Sequence, residues 1–370
     1  MFSSKTRRRN TLLTLSLTAC LWPALSSSAL AQFARLYQVE GGAVYLRRSN
    51  WSNFYRTHPR TMLLGDDLLN VEVDADVVLL CPDGFLTDSI QVGVSNVSAT
   101  CVGTPRSVRP TFGISESWDA MDDTVPYIIS PWSEQVQTAT PMLRWHDIGG
   151  VAQYEVTLRQ RDGENWVDVW TVMSDRAVMA YPADQQKLEA GTDYALQVTI
   201  PGTTPSADTV PTKVFRLLDG GDQQPLAEDI AEVEAFKVDP ITQTLILVEE
   251  VYPRYKLFSQ GINELTALIE AGHGNELIFR LLGDYHIRSG LARPAELSYL
   301  QAVELAKASD NVEEEALAAW GLGTLYGRTG KTEEACTYLQ QAQTLATELG
   351  DSKLMESVEA ELSRMQAIAE

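Results

Sequence analysis

The chain has 370 residues, 44% of them hydrophobic and 21% charged, which suits several folded domains with their own cores. Its formal net charge is −21, and the acidic excess repels phosphate backbones and anionic headgroups. Nucleic acid and anionic lipid surfaces are therefore excluded as partners.

The N-terminus is laid out as an export signal. "KTRRRN" is basic, "TLLTLSLTACLWPAL" is apolar, and "SSSALAQ" supplies small residues. Ala29 and Ala31 fit an A-x-A site, which predicts a signal peptide over residues 1–31. Removing it takes away Lys5, Arg7, Arg8 and Arg9 and no acid, leaving about −25. A competing reading lies inside: "LTAC" resembles a lipoprotein signal, in which Cys20 carries a lipid anchor. No later stretch is long and apolar enough for a transmembrane span. The expected location is the periplasm, the cell envelope or the medium.

Export permits disulfides, and three cysteines remain after cleavage: Cys81, Cys101 and Cys336. Cys81 and Cys101 share one segment, each beside a strand-like run, and are predicted to pair. The alternative is two separately buried thiols.

Residues 33–105 read as short strands: "GGAVYLRR" alternates, "LLNVEVDADVVLLC" is β-branched and apolar, and "PDGF" offers an Asp-Gly turn. Gly42 and Val44, then Gly65, Asp66 and Leu68, then Asp83 and Gly84 resemble the motif order of FecR-like domains of bacterial envelope proteins. That resemblance implies a small all-β fold and no chemistry. Residues 106–136, with prolines and no steady period, read as a linker.

Residues 137–218 return to strands. Leu143 and Trp145 precede a Gly-Gly turn, followed by alternating Tyr154, Val156 and Leu158. "LEAGTDYALQV" resembles the tyrosine corner of fibronectin type III and related Ig-like sandwiches, with Ala190 in place of the usual proline. The resemblance implies a β-sandwich with Trp145 in its core, while Trp145 and Trp166 could also stack on a sugar. Residues 219–228, "DGGDQQPLAE", read as a second linker.

From residue 229 the period becomes helical, and the segment repeats itself. Leu282 and Gly283 align with Leu322 and Gly323, Gly290 with Gly330, Ala295 with Ala335, and Ala302 with Ala342, each offset by 40. The pattern resembles tetratricopeptide repeats, longer than their usual ~34 residues. It implies an all-α helical-repeat solenoid over 229–370 ending in a capping helix. The expected fold class is thus multidomain: a small all-β domain, a β-sandwich and a helical solenoid.

"TGKT" at residues 329–332 matches the end of a phosphate-binding loop, but Leu325 stands where that motif needs its first glycine. Gly330 is read instead as the turn glycine matching Gly290. His58, His146, His273 and His286 are scattered, and Cys336 with His286 is the one conceivable nucleophile pair. Asp66–Asp67, Asp122–Asp123 and Glu313–Glu315 lack the spacing of a calcium loop and are read as solvated acidic surface. The chain calls for no catalytic residue, metal or cofactor and is read as a non-enzyme.

Surface recognition remains. On the tetratricopeptide pattern a groove would present Arg280, Asp284 and Arg288 from one repeat and Trp320, Thr324 and Arg328 from the next. The expected function is an exported scaffold or adaptor holding a protein or peptide partner in the cell envelope. The alternatives are an envelope sensory protein acting through the FecR-like part, and a hydrolase with an unrecognised carboxylate site.

Overall fold

The computed structural model describes residues 34–101, 124–132, 135–202 and 214–369. Cys20, Ala29, Ala31, Asp122 and Asp123 lie outside them. The chain is β-rich in its N-terminal part, with several small sheets, and helical from residue 220 onward.

The first β region contains β1 (Ala34–Gly41), β2 (Val44–Arg47), β3 (Tyr55–Arg56), β4 (Met62–Leu63), β5 (Leu68–Val71), β6 (Ala75–Leu80), β7 (Gly93–Asn96) and a single helical turn, α1 (Val97–Thr100). They make two antiparallel sheets, ordered β4-β1-β6 and β3-β2-β5-β7. In β2, Val44 and Leu46 point inward while Tyr45 and Arg47 are half-exposed, the alternation a one-sided sheet demands. Gly41 has φ +81°, and a Cβ there would lie 2.0 Å from the Asp74 carbonyl oxygen, so only glycine fits. Cys81 and Cys101 are joined by a disulfide.

The second β region contains β8 (Ile128–Ser130), β9 (Gln135–Val136), β10 (Leu143–Trp145), β11 (Tyr154–Asp162), β12 (Asn165–Ser174), β13 (Val178–Met179), β14 (Tyr194–Thr199) and β15 (Arg216–Leu217). Sheets β13-β10-β8 and β12-β11-β14 are antiparallel, and β9 pairs with β15 in parallel. Trp145, 1% exposed, packs with Tyr154, Val156 and Tyr194, so it is core and cannot stack on a sugar. The Tyr194 hydroxyl accepts the Glu189 N–H at 2.9 Å. The linker expected over 106–136 ends early, because Ile128–Ser130 and Gln135–Val136 already form strands of this region.

The helices are α2 (Gly220–Glu234), α3 (Pro240–Ile246), which runs on into a π-helical turn (Leu247–Val251), α4 (Phe258–Glu270), α5 (Glu276–Arg288), α6 (Ala292–Ser309), α7 (Val312–Arg328), α8 (Thr332–Leu349) and α9 (Ser352–Ala369). The second expected linker, 219–228, is instead the start of α2. Asp219 caps that helix by accepting the Gly221 N–H, and Leu226 and Val233 are buried along it. A glycine pair and Pro225 disguise a segment whose "LAEDIAEVE" favours helix.

Helices α6 and α8 keep the 40-residue offset at both ends, and Gly290 (φ +75°) and Gly330 (φ +78°) take the same left-handed turn. Short connections make α5 through α9 pack as successive antiparallel neighbours. The small residues are required by that packing. A Cβ on Gly283 would come within 2.7 Å of the Tyr299 ring, and one on Gly323 within 2.6 Å of Leu339.

The β and helical parts share their cores. One apolar cluster runs from Leu36, Leu46 and Trp51 into Ala316, Leu349 and Leu354 of the last helices. Another joins Leu80 to Leu218, Leu226 and the residues of α3–α5.

Candidate functional site

The six expected groove residues lie on two helices, α5 and α7, at matching repeat positions, and the structure divides them. Arg280 is 6% exposed. Its guanidinium reaches Asp284 at 2.6 Å and, across to α7, Glu314. The Tyr299 hydroxyl closes this group by donating to the second Asp284 oxygen at 2.7 Å. Burial opposes the Arg280 charge, yet Glu314 and Asp284 outweigh it and raise its pKa. Burial and the Asp284 carboxylate likewise push the Tyr299 phenol well above its ordinary value, so it remains a donor.

Arg280 is therefore a structural cation, and the expectation that it faces a partner is corrected. Thr324, 2% exposed, is also buried and corrected with it. The remaining four keep partial exposure. Arg288 lies over the Phe258 and Tyr285 rings, 5.8 and 5.6 Å from their centroids, and burial lowers its pKa. Arg328 reaches Glu361 of α9 at 3.7 Å, and Arg364 meets the same carboxylate at 2.8 Å. Trp320 packs against the core shared with the first β region, and its indole N–H has no hydrogen-bond acceptor.

The acidic run Glu313–Glu315 is not solvated surface. Glu313 takes Arg48 at 2.7 Å, Glu314 takes Arg280, and Glu315 accepts from Gln341 at 2.6 Å. Asp67 is equally engaged: its side chain is 0% exposed, meets Arg48 at 2.8 Å and accepts the Leu64 N–H. Among the described residues no group of three or more His, Cys, Asp or Glu side chains could hold a metal ion.

The Gly-Lys-Thr stretch is a turn. Lys331, the residue before α8, bonds Glu296 at 3.0 Å and lies 5.0 Å from the Tyr326 ring centroid. His286 is 6% exposed with Nδ1 3.3 Å from the Ser298 hydroxyl, and burial drops its pKa to about 3, so it is neutral. Its polar neighbour is Ser298, not Cys336.

Sequence reasoning missed the contact between the first β region and the helices. Arg35, second residue of β1 and 1% exposed, meets Glu249 at 2.5 Å and Glu250 at 3.4 Å on the π-helical turn. Arg48 bridges its own Asp67 to Glu313 of α7. Asn50 and Trp51 donate to Asp351 at 2.6 and 3.1 Å, the Ser52 N–H bonds the Leu349 carbonyl at 3.0 Å, and the Tyr55 hydroxyl bonds the Glu348 carbonyl. The β region thus sits on the edge where α7 and α9 begin and α8 ends. Burial raises Asp67 to about 6 against the opposing pull of Arg48. No periodic pattern announces any of these residues.

No protein-family model matches the chain, and no curated protein matches it. Among the described residues no helix is long and apolar enough to cross a membrane.

Proposed function

We propose that the protein is a non-enzymatic, exported scaffold that holds a protein partner in the cell envelope. In this reading α3–α9 form a short tetratricopeptide-like solenoid, the first β region is a FecR-like domain, and the second is an Ig-like sandwich. The observation that carries it is the coincidence of the 40-residue sequence offset with the boundaries of α6 and α8. Repeats of that kind stack to present one continuous face to a partner. On that face Asp284, Arg288, Trp320 and Arg328 retain partial exposure, and arginine and tryptophan are common interface anchors. The first β region then serves as a buttress that fixes the edge of the helical stack.

A photoreactive residue replacing Arg328, with a control replacing exposed Asp184, tests the reading in intact envelopes. Position 328 should crosslink one partner that position 184 does not. Binding of that purified partner should fall about tenfold or more with Trp320→Ala and Arg328→Ala together. Identical crosslinks from both positions, or unchanged affinity, would overturn it.

A further inference from the structure

Exposed apolar side chains concentrate on the first β region. Val73 is 80% exposed, Phe85 70%, Val94 62% and Val92 54%. Strand β7, which carries Val94, is the outer strand of its sheet. One edge pairs with β5, Val94 opposite Asn70, and among the described residues no strand pairs with the other. Such an edge offers unpaired N–H and C=O groups to an extended chain.

A cleft of about 410 Å³ opens beside it, lined by Asp83, Phe85, Leu86, Asp88 and Ile90 and by Ser95 of β7. Among the described residues its lining holds two carboxylates, apolar surface, neutral hydroxyl and amide groups such as Thr87, Ser89 and Gln91, and no cation. The imbalance extends well beyond the lining, since residues 61–101 include Glu72, Asp74 and Asp76 and contain neither lysine nor arginine. A second copy of this chain would bring the same acids against one another and be repelled. A cation-bearing segment would be drawn in.

We propose that this cleft takes an extended segment of a protein partner in which basic and apolar residues alternate. The segment adds as a strand to the free edge of β7. Its cationic side chains point into the cleft toward Asp83 and Asp88, and its apolar side chains, on the opposite face of the added strand, cover Val94. Backbone bonds supply sequence-tolerant affinity, and the two carboxylates supply the choice of charge.

The test uses the full mature chain and a fluorescein-labelled, amidated peptide, Lys-Val-Thr-Val-Lys-Val-Thr, followed by anisotropy. Binding should strengthen as salt is lowered. It should weaken about tenfold in the Asp83→Asn/Asp88→Asn chain, two exposed pairs at up to ~1 kcal/mol each. A peptide with glutamate at both lysines, and one N-methylated at alternate backbone nitrogens, should each lose most binding. Both aspartates are exposed, so the double variant should fold normally.

Equal binding of the glutamate or N-methylated peptide would overturn the proposal, as would failure of the lysine peptide to bind at about 1 mM. Dimerisation of the chain alone that the peptide reverses would instead make a second copy the occupant. Changing Arg106 and Arg109 to glutamine should leave peptide affinity unchanged. A gain of more than about threefold would make the chain's own continuation beyond Cys101 the occupant, and would also overturn the proposal.

Discussion

The turns at Asp310–Asn311 and Gly350–Asp351 occupy one position in two successive repeats. Both put a left-handed residue after a helix, at φ +58° and +74°. In both, the next residue donates its N–H to a carbonyl five residues back, Ala306 or Ala346, and its side chain then caps the following helix. Yet Asp310 is an exposed aspartate, whereas a Cβ on Gly350 would lie 2.3 Å from the Ser52 hydroxyl. The cap side chains diverge in the same way: Asn311 reaches back to Glu276 of the preceding repeat, while Asp351 takes Asn50 and Trp51 from the β region. The repeat sets the backbone, and what sits on each turn sets its chemistry.

The way to break this comparison is to unseat the β region. Arg35→Ala removes the buried guanidinium that Glu249 and Glu250, each 6% exposed, both bond. Removing one partner of a buried ion pair costs about 3–5 kcal/mol, and urea unfolding at neutral pH should register that loss. Glu250→Gln should cost far less, because Glu249 at 2.5 Å remains to hold the guanidinium. A loss below about 1 kcal/mol for Arg35→Ala would mean that this contact does not fasten the two regions.

A smaller effect sharpens the comparison directly. Gly350→Ala forces a side chain into a left-handed residue already overlapped by Ser52, for an expected loss of about 2–3 kcal/mol. Asp310→Gly at the equivalent turn should change stability by no more than about 0.5 kcal/mol. In a chain that also carries Ser52→Gly, which removes the overlapping hydroxyl, the cost of Gly350→Ala should shrink toward about 1 kcal/mol, the backbone term. Equal costs for Gly350→Ala in both chains would show that Ser52 does not govern the turn.

These residues also show where sequence reading reaches and where it stops. Periodicity carries the helical repeat, because packing one helix on the next demands small residues at fixed spacing; Gly283 and Gly323 stand against Tyr299 and Leu339 for that reason. It likewise carries Trp145 into a core, through the alternation of the strands around it. The seating of the β region depends on single ion pairs instead, with Arg35 and Glu249 separated by 214 residues and Arg48 and Glu313 by 265. One charge at one position has no period. The run Glu313–Glu315 accordingly looked like solvated surface, although each member has a different partner. The groove expectation failed at Arg280 for the same reason, since its helical face was legible and Glu314 opposite it was not.

The smallest effect concerns Asp67, which tests the seating by titration. Burial lifts its carboxyl to about 6 from the ordinary 3.8, and Arg48, which would lower it, divides its charge with Glu313. The folded chain therefore binds a proton that the unfolded chain releases between those values. Stability from that proton is complete below 3.8 and is lost as pH rises through about 6. Between pH 7 and pH 5 the chain should gain about 1 kcal/mol relative to Asp67→Asn, which cannot take up the proton. Glu313→Gln removes the carboxylate on α7 that competes for Arg48 and itself raises Asp67, so the Asp67 pKa should fall. Carbon-detected NMR of the Asp67 carboxyl reads both values. A pKa near 4 in the unaltered chain would mean that Arg48 outweighs burial. A pKa unmoved by Glu313→Gln would mean that α7 does not share this arginine, and the β region would then owe its seat to Arg35 and the Gly350 turn.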